Sequence, residues 1–251
     1  MILHYDGTLC GFLCLLGQVV EQRLQITRIM RSEQSCSGNL FAGECDITTD
    51  SRMAARVAGK LEQLTGKHFM HQLAQALFSE EDGIERDMIR LLQRAHEHGY
   101  MLLKNPADPL VNRINRAALR TVRERHRLLG LLRFERLADS SYLARCRPVT
   151  NCVPLLGSHF NKRLGEQRWL ILDEQRRVGV YGDGQSWQVN EQIEVAADLP
   201  LHATEEQMSE LWRHFYHSIS NPARNNPRLR QQFMPRRYWS FLTELQPQKA
   251  R

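Results

Sequence analysis

No run of about 18 apolar residues occurs in this 251-residue sequence, so no membrane-spanning helix is expected. Also missing are His-Glu-x-x-His, two cysteines separated by two residues, and the phosphate-loop, dinucleotide-binding and serine-hydrolase signatures. Their absence argues against a zinc or iron–sulfur centre and removes the commonest ATPase, dehydrogenase and esterase readings. No metal and no cofactor are therefore expected. The start, Met1-Ile2-Leu3-His4-Tyr5-Asp6-Gly7, has no basic segment ahead of its apolar stretch, which argues against a secretion signal. Cys10, Cys14, Cys36, Cys45, Cys146 and Cys152 lack the short paired spacing of small secreted domains. Free thiols in a reducing cytosol, and so a cytoplasmic protein, are the expectation.

What the sequence does have is basic charge. Lys and Arg number 34 against 28 Asp and Glu, a formal net charge of +6, and arginine greatly outnumbers lysine. The guanidinium fork matches phosphate geometry in a way the lysine point charge does not.

The pattern of elements predicts an α+β fold. Leu3 to Tyr5 reads as a strand, followed by a helix over Thr8 to Leu24 capped by Thr8. A Ser-, Gly- and Cys-rich loop over Ser32 to Gly43 precedes a strand near Cys45 to Thr48. Asp50 opens a helix ending at Gly66, a third helix covers His68 to Leu77, and Ser79-Glu80-Glu81-Asp82 caps a fourth that closes at Gly99. Asp108-Pro109 starts a long helix to about Leu129, with Asp as cap and Pro at the first helical position.

After Gly130 the apolar period becomes two. Leu132 to Glu135 and Tyr142 to Cys146 read as a hairpin, Pro154 to Leu164 as a short helix, and Trp169 to Leu172, Val178 to Tyr181 and Trp187 to Val189 as further strands. The mostly antiparallel sheet is thus expected chiefly from the meander over 131–190, after a helical first half. Thr204-Glu205-Glu206-Gln207 fits a capping box opening a helix that carries Leu211, Phe215 and Ile219 and stops at Asn221-Pro222. The expectation is a single domain over 1–242, open to division into lobes 1–130 and 131–242, then a flexible tail over 243–251.

Two basic regions stand out. On the helix after Asp108, Arg113, Arg116, Arg120, Arg123 and Arg127 share one face opposite Leu110, Val111, Ile114, Ala118 and Val122. Such a stripe suits a phosphate backbone or, equally, a solvated face with ion pairs. Arg125 falls inside the apolar arc, which requires a buried acid or an earlier helix end. Between Leu211 and Thr243 there is no Asp or Glu, but Arg213, Arg224, Arg228, Arg230, Arg236 and Arg237 occur with Phe233, Tyr238 and Trp239. Interleaved aromatics and arginines suit single-stranded or distorted nucleic acid. The alternative is that Phe233, Trp239 and Leu242 anchor the segment to the core.

Candidates for chemistry are fewer. His159, with Lys162 and Arg163 nearby, carries an imidazole suited to acid–base work or to phosphate binding. Asp6, Asp173 and Asp183 lie at strand ends or turns, where carboxylates serve a hydrolase or simply cap the turn. His159 paired with Asp6 or Asp173 is the catalytic candidate.

Tyr5-Asp6-Gly7-Thr8, Val153-Pro154-Leu155-Leu156 leading to His159-Phe160 and Arg163, Trp169-Leu170-Ile171-Leu172-Asp173 with Arg176, and Asn226-Pro227-Arg228-Leu229 to Phe233-Met234-Pro235-Arg236-Arg237-Tyr238-Trp239 together carry a resemblance over almost the whole chain. The sequence resembles a bacterial family named "probable DNA metabolism protein". It departs at Gly182, where the resemblance implies Tyr-Tyr-Asp-Gly and this chain has Tyr181-Gly182-Asp183-Gly184.

The resemblance implies the company of a radical-SAM protein encoded nearby and of uracil-DNA glycosylase-like domains. The leading expectation is a DNA-binding accessory protein in DNA repair or modification. It would use Arg113, Arg116, Arg120, Arg123, His159, Arg163, Arg176, Arg228, Arg236, Arg237, Tyr238 and Trp239. A DNA-processing hydrolase or lyase and a protein-interaction subunit without DNA contact are the alternatives.

Overall fold

In the computed structural model, which describes residues 1–22, 24–31, 43–196, 198–221, 223 and 226–246, the apolar start forms β1 (Ile2–Tyr5) and runs into α1 (Leu9–Gln22). Thr8 makes that transition: its Oγ1 accepts from the Gly11 N–H at 2.8 Å, and Asp6 Oδ1 accepts from the Thr8 N–H at 2.9 Å. The chain divides into two units, Met1–Thr121 and Val122–Arg251. The division falls inside a helix rather than at Gly130.

In the first unit β1 lies between β2 (Arg28–Arg31) and β3 (Glu44–Asp46), with both pairings parallel. A parallel neighbour needs a crossover, and α1 supplies it between β1 and β2. Sequence patterning gave no sign of β2, because Arg28 and Arg31 leave only two apolar residues between them. The loop expected over Ser32 to Gly43, with Cys36, falls outside the described residues apart from Gly43.

The apolar positions of α1 pack with those of α2 (Ser51–Thr65), α3 (Lys67–Leu77) and α4 (Ile84–His98) into one core. Asp50 caps α2 as expected, accepting from Arg52 and Met53 N–H groups. Ser79 does not cap α4: its hydroxyl donates to Ala76 O, and Gly83, at φ 72°, occupies the cap position instead. A polar cluster enters this core. Buried Glu85 accepts from the Tyr5 hydroxyl at 2.9 Å and from Arg31 Nε at 2.6 Å, while Arg31 Nη2 reaches Leu77 O at 3.0 Å.

α5 (Pro109–Leu131) begins where expected, with Asp108 Oδ1 accepting from Leu110 and Val111 N–H groups. The second unit then builds a five-stranded sheet in the order β4 (Phe134–Arg136), β5 (Tyr142–Cys146), β6 (Trp169–Asp173), β7 (Val178–Gly182), β8 (Trp187–Asn190). All neighbours are antiparallel except β5 and β6, whose parallel crossover is the 3-10 turn Val153–Leu156 and α6 (Gly157–Leu164). The α+β architecture with a mostly antiparallel second sheet is therefore as the sequence indicated.

Because side chains alternate along a strand, Ala144, Cys146, Trp169, Ile171 and Val180 share one face, where they pack with Phe160 and Tyr238. Leu143, Leu170, Leu172 and Tyr181 lie on the other. The segment after β8 returns past that face. A Cβ on Gly179 would lie 2.4 Å from Ile193 Cδ1, and Arg145 Nη2 donates to Ala196 O at 2.9 Å.

Two further expectations are corrected. Thr204 makes no capping box for α7 (Glu205–Ile219), since Thr204 Oγ1 pairs with His202 Nδ1 at 2.8 Å and Glu205 is drawn to the Arg136 N–H. The tail is not loose from residue 243: Glu244 is buried, and it binds Arg133 Nη2 at 2.7 Å and Trp212 Nε1 at 2.9 Å. Residues 247–251 lie outside the described set.

Removing a buried charge's partner leaves the other group unpaired at a cost of about 3 kcal/mol or more. Glu85→Ala is expected to destabilise the chain by that amount in urea unfolding, and Glu85→Gln, which keeps an acceptor for Tyr5, by less.

Candidate nucleic-acid interface

The arginine stripe of α5 is real as a pattern but mixed in its chemistry. Arg113 pairs with Asp87 at 2.6 Å and donates to Asp82 O, Arg120 reaches Glu81 at 3.4 Å, and Arg127 reaches Glu124 at 3.3 Å. Arg116 and Arg123 are exposed, and among the described residues no carboxylate pairs with them. Arg113, Arg116 and Arg120 belong to the first unit, Arg123 and Arg127 to the second. Arg125 resolves differently from either expectation: the helix continues to Leu131, and Arg125 Nε donates to the backbone carbonyl of Leu155 at 2.9 Å.

Glu124 is the only acidic residue of α5, and it organises the second unit. It is buried, with Oε1 accepting from the Val149 N–H at 3.0 Å and from the Tyr238 hydroxyl in a short hydrogen bond, while Arg237 Nη2 lies 3.0 Å from both oxygens. Burial raises the Glu124 carboxyl, but Tyr238, Val149 and Arg237 outweigh it and hold the group below the ordinary glutamate range. Tyr238 and Arg237 are thereby committed to structure, and Tyr238 is only 2 % exposed. Both were expected at a nucleic-acid surface; Tyr238 has no ring face left for a base. A lone acid inside an arginine-rich helix was the available signal for this site.

The rest of the C-terminal basic region stays on the surface. α8 (Pro227–Phe233), capped by Asn226, exposes Arg228, Leu229 and Phe233. Trp239 donates from Nε1 to Met234 O at 2.9 Å, and the guanidiniums of Arg230 and Arg236 sit 5.1 and 5.8 Å from its ring. Of the three proposed anchors, Leu242 is fully buried, Trp239 is partly buried and Phe233 is 63 % exposed. Arg213 donates to Thr243 O, and Arg224 lies outside the described residues.

Arg176 is also structural. It pairs with buried Asp173 at 2.9 Å and donates to the carbonyls of Pro148 and Val149. Asp173 in turn accepts from the Gln175 and Arg176 N–H groups, and burial raises its carboxyl against these contacts.

His159 stands apart from Asp173: the charged groups it feels are Arg163 and Arg125, and its Nε2 is buried without a hydrogen-bond partner. Burial, then those two arginines, lowers its pKa. Asp6 in the first unit accepts from Thr8 and from Thr49 Oγ1, and Asp183 from Gln185 and Ser186 N–H groups, so both serve turns. The His159–Asp173 pairing is thus not formed. Cys146 and Cys152 are buried, which raises Cys146 well up and pushes Cys152 up to about 12, values that disfavour a reactive thiolate.

The geometry defines a two-unit α+β protein whose second unit displays exposed arginines beside aromatic rings, with no acid–base pair assembled at His159 among the described residues. Residues 82–244, more than half the chain, match the family described as a domain of unknown function, DUF4130, and the chain belongs to that family. No curated protein and no solved structure matches it.

Glu124→Gln is expected to weaken the second unit by about 3 kcal/mol, read by urea unfolding, with faster proteolysis near Arg237. Since the folded-state pKa of Glu124 is depressed, its contribution is present above the ordinary glutamate range and is lost as pH falls through and below it. The acid limb of a stability profile should therefore be less steep in the variant. An NMR titration should give His159 a midpoint below the usual histidine value of about 6.5.

Proposed function

We propose that this protein is a nucleic-acid-binding accessory factor that acts in DNA repair or modification beside a catalytic partner. The observation that carries the reading is the acid-free stretch of the second unit. There, Arg230 and Arg236 flank Trp239 while Arg228 and Phe233 stand exposed. Cations held against an aromatic ring are already oriented for phosphate, and an exposed Phe offers a base a stacking face. Arg163 and Arg123, exposed and without carboxylate partners among the described residues, add to the positive charge of the same unit. The DNA pathway and the radical-SAM or uracil-DNA glycosylase-like partner come from the family resemblance.

One observation supports a protein-docking role alongside DNA contact. α7 holds to its own unit through Trp212 and Arg213, yet exposes Met208, Leu211, Phe215 and Ile219 along a single face. An apolar helical stripe of this kind is the form in which a protein partner is commonly engaged. It is the element we assign to the catalytic partner. A catalytic role for this chain alone has no such support, since among the described residues no carboxylate pairs with His159.

Binding titrations across salt concentration test the DNA reading. Contact with about six phosphates gives a log–log slope near −5 on duplex and near −4 on a single strand. Arg228→Ala with Arg236→Ala is expected to make the slope shallower by about 2. A slope near zero for the unmodified protein rejects the reading.

A further inference from the structure

His159 stands among charges of one sign. On α6 it precedes Arg163 by one turn, a spacing that sets two side chains next to each other on a helix. Arg125 of α5 arrives from the other direction: its Nε donates at 2.9 Å to the carbonyl of Leu155, four residues before His159. The 3-10 turn Val153–Leu156 and α6 bury Val153, Leu156 and Phe160. Leu155, His159 and Arg163 follow one another along a flank beside that buried face, and Arg125 reaches the same flank. All three basic side chains belong to the second unit.

Arg163 and Arg125 are also the charged groups that, after burial, lower the His159 imidazole, and no carboxylate acts on it among the described residues. Neither arginine has a carboxylate partner among those residues. Arg163 is exposed, and Arg125 spends only Nε on the backbone, leaving its terminal nitrogens neither enclosed nor bonded. Of the two imidazole nitrogens Nε2 is enclosed, so Nδ1 is the one that can meet a ligand. Elsewhere in this unit the fold neutralises its cations, since Arg133, Arg176 and Arg237 each meet a buried carboxylate. Three basic groups gathered from two helices without an acid repel one another until an anion comes between them. Guanidinium forks on two sides of one point suit a tetrahedral phosphate.

We propose that Arg125, His159 and Arg163 bind a backbone phosphate of a nucleic-acid strand, and that binding draws a proton from solvent onto His159. The assignment rests on the nucleic-acid reading above and adds its regulation by pH. Without ligand, the two arginines keep the imidazole largely neutral at neutral pH. A phosphate offsets both and favours the imidazolium, so the bound midpoint lies above the free one. Affinity therefore rises as pH falls from the bound midpoint to the free midpoint, and it is level on either side of that window.

The test follows histidine ring signals by NMR against pH, with His159→Gln assigning the resonance. It uses the full chain alone, in inorganic sulfate, and with single-stranded oligothymidylate, two anions that do not titrate where histidine does. Saturation with the strand is expected to raise the His159 midpoint by about one pH unit, and sulfate to move it the same way. Strand affinity should gain about tenfold on acidification across the window, and His159→Gln should lose most of that gain. Arg163→Gln, at an exposed position, should raise the free midpoint by removing a neighbouring cation and should shrink the rise on binding.

A His159 midpoint that stays or falls on saturation with the strand overturns the proposal. So does an acid-side gain in affinity that His159→Gln keeps in full. Anisotropy titrations on the same samples separate this failure from failure of the DNA reading. A strand that binds without moving His159 keeps the DNA reading and loses this site. Sulfate that raises the midpoint in a protein binding no strand leaves an anion site and overturns its assignment to nucleic acid.

Discussion

Everything in the second unit depends on a carboxylate that could not be buried alone. Glu124 sits under the C-terminal half of α5 with Tyr238, Arg237, Arg127 and the Val149 N–H around it. A buried charge stripped of partners costs several kcal/mol, so each of these groups is held where Glu124 needs it. The α5 helix, the turn after β5 and the C-terminal 3-10 segment are joined at one point in consequence. Glu244 repeats the arrangement on a smaller scale, binding Arg133 through both oxygens and drawing in Trp212 of α7. Between them, two acids tie the C-terminal 3-10 segments to α5, to Arg133 and to Trp212 of α7.

That arrangement sorts the arginines by what they do. Arg113, Arg127, Arg133, Arg176 and Arg237 meet carboxylates or backbone carbonyls and stabilise the fold. Arg116, Arg123, Arg163, Arg228 and Arg236 are exposed without carboxylate partners among the described residues. Sequence alone gives both groups the same letter and the same helical spacing. The net charge of +6 therefore understates how unevenly cations are committed.

Local chemistry was readable where a residue acts within its own turn. Thr8, Asp50 and Asp108 cap helices as their positions indicate, because the hydrogen bonds involved span two or three residues. Strands β4 to β8 were readable from period-two alternation. What alternation does not encode is which strands are neighbours, so the parallel β5–β6 pair and the β2–β1–β3 sheet emerged only in three dimensions. The site was less legible than the fold. Tyr238 and Arg237 look like surface residues until Glu124, 114 and 113 positions away, is placed beside them.

The long reach of Glu124 also sets an order of events during synthesis. The first unit is complete once residue 121 has emerged, and its core needs nothing that follows. The second cannot complete the partners of Glu124 until Arg237 and Tyr238 are made, nor pair Arg133 with Glu244 until residue 244. At about 5–20 residues per second that gap lasts several seconds or more. Through that interval a finished first unit trails an unsealed sheet, whose apolar face is open to whatever nascent-chain chaperone is at hand.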